Sequence, residues 1–168
     1  MLVRSLSQRG ATLVELVMTI VIISIAIAGV VGAFSLIAGR SADPLNQSRA
    51  VSLAQLYMDE ILAKRFAEGS PVGGGQTAVP DCGTIGPDGS ESRNDFDDVD
   101  DYDGLDSAPE NSEEDALTRY DSFNVSITVE CAGSEVGLAA DDLAKRIDIR
   151  ITDPSGNDYL FTAYRGNF

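Results

Sequence analysis

From Leu16 to Ala38 the chain reads LVMTIVIISIAIAGVVGAFSLIA, 23 residues without a charge. A helix of that length rises roughly 34 Å, enough to cross the apolar core of a bilayer. The run takes the first forty residues out of any soluble fold and leaves residues 41–168 for one small domain. Arg4 and Arg9 precede it, so the positive-inside rule keeps the N-terminus in the cytoplasm and sends the segment after Arg40 outward. A cleaved secretory signal has an apolar core of about 7 to 15 residues before its cut site, and this run is longer. An ordinary signal anchor explains the length but not Glu15, a carboxylate at the apolar leading edge. An unpaired charge there costs several kcal/mol, which makes Glu15 a candidate functional group.

The residues Gln8, Arg9, Gly10, Ala11, Thr12, Leu13, Val14, Glu15 and Leu16 resemble the class III signal of type IV pilins and type II secretion pseudopilins. The resemblance implies that residues 1–10 are a leader, cut after Gly10 by a prepilin peptidase that then methylates the new amine of Ala11. It implies that residues 11–40 form a helix that crosses the inner membrane and later enters a filament core. Glu15 would pair there with the amine of a neighbouring subunit. A buried carboxylate and a buried ammonium are each prohibitive alone and acceptable together. Ala11 departs from the family's commoner Phe or Met. Gly29, Gly32 and Gly39 lie in the same helix and carry two readings: close packing of small residues between membrane helices, or, at Gly32, the place where the helix loosens in an assembled fibre.

Beyond Arg40, Asp43 and Pro44 form an N-cap and first-turn pair, and an amphipathic helix follows within residues 41–68. Ala50, Val51, Leu53, Ala54, Tyr57, Met58, Ile61, Leu62 and Phe66 cover one broad apolar face. Glycine and proline between Gly69 and Gly75 end it, and residues 69–121 read as a long acidic surface loop. Strand alternation then appears at Phe123–Val129, Ile147–Ile151 and Tyr159–Tyr164, within residues 122–168. The expected fold is α+β: a long N-terminal helix, membrane-spanning and then amphipathic, packed on a small C-terminal antiparallel sheet. The two cysteines, Cys82 and Cys131, are even in number, widely spaced and in an exported segment, a pattern that favours one disulfide.

The chain has 27 acidic and 12 basic residues, a net charge of -15, and no histidine or tryptophan. That surface repels nucleic acid, and the lack of histidine removes the commonest general base and zinc ligand. No enzyme is expected. The densest acidity is in Asp95, Asp97, Asp98, Asp100, Asp101 and Asp103. Clustered carboxylates suit calcium, although the register of an EF-hand fails, because counting back from Gly104 puts Val99 at the first ligand position. The alternative is a solvated acidic turn in which Phe96, Val99 and Tyr102 dip into the surface.

Three stretches resemble the D-type minor pilins of mannose-sensitive haemagglutinin (MSHA) pili: Tyr57–Phe66, the acidic run Phe96–Gly104, and the ending from Asp153–Gly156 through Phe161–Phe168. The resemblance implies a minor subunit that primes or caps a pilus used in surface attachment, with other pilins, the prepilin peptidase and the assembly platform as partners. Its head would lie in the periplasm and then on the cell surface. The rivals are a minor pseudopilin of type II secretion and a calcium-dependent adhesive tip head.

Overall fold

The structure is a computed structural model that describes residues 12–40, 43–71, 74–77 and 82–168. The expected leader and the pair Gly10 and Ala11 lie outside them. The chain divides into two units, Met1–Pro44 and Leu45–Phe168. In the first, α1 (Leu13–Arg40) is helical throughout, including at Gly29, Gly32 and Gly39.

In the second unit, helix α2 (Asp43–Ala63) buries Ala50, Leu53, Ala54, Tyr57 and Ile61 on one stripe. These fall three or four residues apart, the spacing that keeps side chains on one helical face. The helix stops at Ala63, short of the expected residue 68, because the backbone at Arg65 is used elsewhere. Its N–H donates to the Asp97 carbonyl at 3.3 Å, and its carbonyl accepts from Val99 N–H at 3.1 Å.

The sheet is antiparallel in the order β1 (Asp106–Ser107), β2 (Asn124–Cys131), β3 (Ala144–Thr152), β4 (Asp158–Gly166). Alternation aligns its inner face in rungs: Val125, Ile151 and Tyr159; Ile127, Ile149 and Phe161; Val129, Ile147 and Ala163. The β2 and β3 members are buried, and with the α2 stripe they form one core. The outer face is polar, with Arg146 paired to Glu130, Glu135 and Asp148. Asp153 closes the β3–β4 turn by accepting Ser155 N–H and Asn157 N–H on Oδ1 at 2.8 and 2.9 Å.

Two features depart from the sequence expectation. The sheet has a fourth strand, β1, whose two polar residues carry no alternation to read; the chain reaches it as Gly104 N–H donates to the Ile127 carbonyl and Leu105 C=O accepts from Ile127 N–H. The segment 69–121 is also not a surface loop throughout, since Val99 and Tyr102 are fully buried and Phe96 nearly so. The apolar side chains recur every third residue there, and the chain turns through a short 3-10 segment at Asp100–Tyr102 that sends all three inward.

Beneath them sits Arg93. Its guanidinium donates two hydrogen bonds to the Glu60 carboxylate, at 2.6 and 2.8 Å, and lies 4.9 Å from the centre of the Tyr102 ring, with Tyr57 and Phe96 at 5.4 and 5.7 Å. Tyr102 Oη–H donates to Glu60 as well, at 2.7 Å. Burial pushes the Glu60 carboxyl up, but the bonds from Arg93 and Tyr102 outweigh it and hold it below its ordinary 4.5. Cys82 and Cys131 are joined in a disulfide, Cα to Cα 5.9 Å, closing a 49-residue separation.

Two outcomes are expected in urea titrations of the detergent-solubilised chain. Glu60→Gln leaves Arg93 buried without its counter-charge and costs roughly 3 to 5 kcal/mol. Because the carboxyl titrates lower when folded, that gap is full above pH 4.5 and closes as pH falls through the lowered value; a gap independent of pH would dismiss the pair as its source. Replacing Cys82 and Cys131 with serine costs about 4 kcal/mol by the loop-entropy estimate, and an unchanged midpoint would show that the bond constrains nothing.

Candidate functional site

The first candidate is the opening turn of α1. Thr12 caps it: Glu15 N–H donates to Thr12 Oγ1 at 3.3 Å and Leu16 N–H to the Thr12 carbonyl at 3.2 Å. Threonine followed three residues later by glutamate is a capping-box pattern, a signal in the sequence that fixes where the helix begins. It places the Glu15 carboxylate in the first turn, at the positive end of the helix dipole. The side chain is exposed, and among the described residues no basic group pairs with it.

From Leu16 to Ser35 the helix carries no charged side chain. Residues 12–35 are all exposed, and the hydroxyl side chains beyond Glu15 turn back on the helix itself. Thr19 Oγ1 donates to the Glu15 carbonyl at 2.5 Å, Ser24 Oγ to Ile20 at 2.7 Å and Ser35 Oγ to Val31 at 3.0 Å. Hydroxyls satisfied in this way can sit in lipid without an unpaired donor. Leu13–Ser35 is long and apolar enough to cross a membrane. A Cβ added at Gly29 or Gly32 would meet nothing within 4 Å, so within this chain neither glycine is required by packing.

The second candidate is the acidic segment, and the structure does not gather its six aspartates around one point. Asp95 accepts from Ser92 N–H and Ser92 Oγ–H, at 3.3 and 2.9 Å. Asp103 Oδ1 accepts from Val129 N–H at 2.8 Å and ties the segment to the sheet. Asp100 Oδ2 pairs at 2.5 Å with Lys145 Nζ, which also donates to the Phe66 carbonyl. Asp97 pairs with Arg65. Asp101 Oδ2 accepts the backbone N–H groups of Asp97 and Asp98, at 2.8 and 3.0 Å, and Asp98 Oδ1 accepts from Asp100 N–H at 2.7 Å.

Of the six, only Asp97, Asp98 and Asp101 bring carboxylate oxygens within 4.8 Å of one another. Asp98 belongs to a second group at the same spacing with Glu68 and Asp88, two residues outside the acidic run. Burial, followed by repulsion from Asp101 and Asp100, pushes Asp98 up to about 7. Burial also raises Asp100, against the pull of Lys145. Glu68 and Asp88 carry no periodic signal and could not be found by pattern. Lys145 could have been, because it shares the odd-numbered, core-facing column of Ile147, Ile149 and Ile151, where a charge requires a buried partner.

Neither a curated protein nor a solved structure matches the chain. Residues 5–31 match the family model described as the prokaryotic N-terminal methylation motif. The match spans Gly10, Ala11, the Thr12 cap, Glu15 and the first half of α1. The chain therefore carries a type IV pilin-like N-terminal signal, ahead of a capped helix with the length and apolarity to cross a membrane and a small α+β head.

Proposed function

We propose that this protein is a minor structural subunit of a type IV pilus of the MSHA type, priming or capping a filament used in surface attachment. The observation that carries the reading is the first turn of α1: a capped helix start inside the methylation motif, with a carboxylate that has no partner among the described residues and an apolar surface behind it. Prepilin peptidase cleaves after Gly10 and methylates Ala11. Before assembly the helix is held in the inner membrane, with its N-terminus cytoplasmic and its head periplasmic. In the filament, Glu15 neutralises the amine of the adjoining subunit, which sets the stagger between neighbours. Gly32, with open space around it, lets the helix loosen when neighbours crowd it. The protein has no catalytic step of its own; the family's ATPase and platform supply the work.

Intact-mass measurement of the protein from sheared filaments and from membranes tests this. The expected species begins at a methylated Ala11 and is present in both fractions. Glu15→Ala is expected to keep wild-type levels in the membrane and to fall in filaments by roughly tenfold or more, as the loss of one pairing in an apolar setting requires. Normal incorporation of the variant would remove the role given to Glu15. Absence of the wild-type protein from pili, with loss of exported enzymes on deletion, would move it to a type II secretion pseudopilus.

A further inference from the structure

In β4 the core-facing column is Tyr159, Phe161, Ala163 and Arg165, and the last of these stands opposite Lys145 of β3. Cations directly opposite one another in a sheet repel. Lys145 is compensated, because its Nζ donates to Asp100 Oδ2 and to the Phe66 carbonyl. Arg165 is not. Its guanidinium makes no ion pair or hydrogen bond with the described residues, and its Nε is buried without a partner. A half-buried cation beside another cation is costly unless an anion meets it.

Arg165 lines a cavity of about 250 Å³ just past the end of α2, together with Lys64, Arg65, Phe66, Ser70 and Phe168. A second unspent donor is found there. Ser70, only 8 % exposed, accepts the Ala67 N–H on Oγ at 3.0 Å and gives its own proton to no described residue. Lys64 Nζ spends one of its three protons, on the Phe96 carbonyl at 2.6 Å. Arg65 faces Glu68 and Asp97. The remaining wall is aromatic: Phe66 is buried, and the Phe168 ring folds back over Gly166, where an added Cβ would collide with it. The buried Asn167 side chain holds this end of the chain in place, accepting Thr77 N–H at 2.9 Å and donating to the Thr77 carbonyl at 3.3 Å.

We infer that this cavity binds a small monocarboxylate, with Arg165 as the charged partner and Ser70 as a hydrogen-bond donor. Unspent groups on an arginine, a hydroxyl and an ammonium are all donors, so the ligand is an acceptor and an anion. A guanidinium presents paired N–H groups that match the two oxygens of a carboxylate. Glu68 and Asp97 beside Arg65 repel a second negative charge, which sets a monoanion above a dianionic phosphate. The Phe66 and Phe168 rings give an apolar body somewhere to lie, and a cavity of this size takes a short acid whole. The inference stands independently of the filament reading.

The test uses the isotopically labelled full-length chain in detergent with the disulfide intact, and reads its arginine Nε–H and backbone amide signals by NMR. Loss of one signal in Arg165→Gln identifies the Arg165 Nε–H. Titration with sodium benzoate is expected to shift it saturably, with a Kd of about 1 mM or lower, while sodium chloride at the same ionic strength leaves it in place. Arg165→Gln removes the repulsion from Lys145, so its near-UV spectrum should be unchanged, while its benzoate affinity, followed at the Ser70 amide, drops by about tenfold or more. Arg165→Lys keeps the charge without the paired donors and should fall between the two. N-acetylglutamate amide, the same group on a peptide stem, should bind more weakly, because its amides meet the aromatic wall. No saturable shift, a shift that chloride or inorganic phosphate reproduces, equal affinity in Arg165→Gln, or tighter binding of the peptide form would each overturn the assignment.

Discussion

The pairing of Glu60 with Arg93 is the interaction on which the rest of the head depends. The guanidinium is buried, and three aromatic rings from two parts of the chain converge on it: Tyr57 from α2, and Phe96 and Tyr102 from the segment beyond. Ring faces carry negative charge density and favour a cation, so the rings and the carboxylate act together. Phe96 and Tyr102 in turn meet edge to face at 5.2 Å. A buried pair of this kind adds little net stability over an apolar substitute, because desolvation offsets much of the attraction, but it makes every arrangement that strands one partner expensive. That is how a segment rich in aspartate is held over the end of a helix. From there Asp103, Gly104 and Leu105 carry it onto β2, which places β1 at the edge of the sheet.

The aspartates themselves do work that their number conceals. Asp95, Asp98, Asp101 and Asp153 all accept backbone or serine donors within short turns, and Asp103 accepts one from β2. A chain with little regular structure between α2 and β2 must satisfy its amides somehow, and short acidic side chains are well shaped to do so. The consequence is a local excess of negative charge that proximity, rather than sequence, concentrates at Asp98.

How far the sequence disclosed this structure follows from the range of each interaction. The apolar run, the α2 stripe and the alternation in β2, β3 and β4 are periodic, and period alone places them on helix or strand. The Thr12 cap was not read from the sequence, although the threonine three residues before Glu15 carries the signal for it. What was not legible depends on contacts without period: Arg65 pairing its backbone with residues 97–99 and so ending α2 early, and the two-residue β1; the inward turn of Phe96, Val99 and Tyr102 was one of the two readings of the acidic run, and the Arg93 pocket that receives them was not foreseen. At the candidate sites the same division holds. Glu15 stands out because its neighbours are apolar. The six aspartates stand out by density, yet density misdirects, because three are committed within the loop and three to Arg65, Lys145 and Val129, while Glu68 and Asp88, thirty and ten residues before Asp98, arrive by the fold alone.

The hydroxyls of Thr19, Ser24 and Ser35, each bonded to a carbonyl one turn earlier, have a consequence for how such a helix changes surroundings. A polar group that waits for an outside partner ties its helix to one neighbour and one register. Here those groups are closed internally, so the surface behind Glu15 is chemically neutral toward whatever it meets: hydrocarbon chains or another helix of like composition replace one another with little enthalpic difference. Neither surrounding would break the bonds that these hydroxyls make within α1. Such a helix can be inserted, withdrawn and reinserted without remaking a single one of these internal bonds.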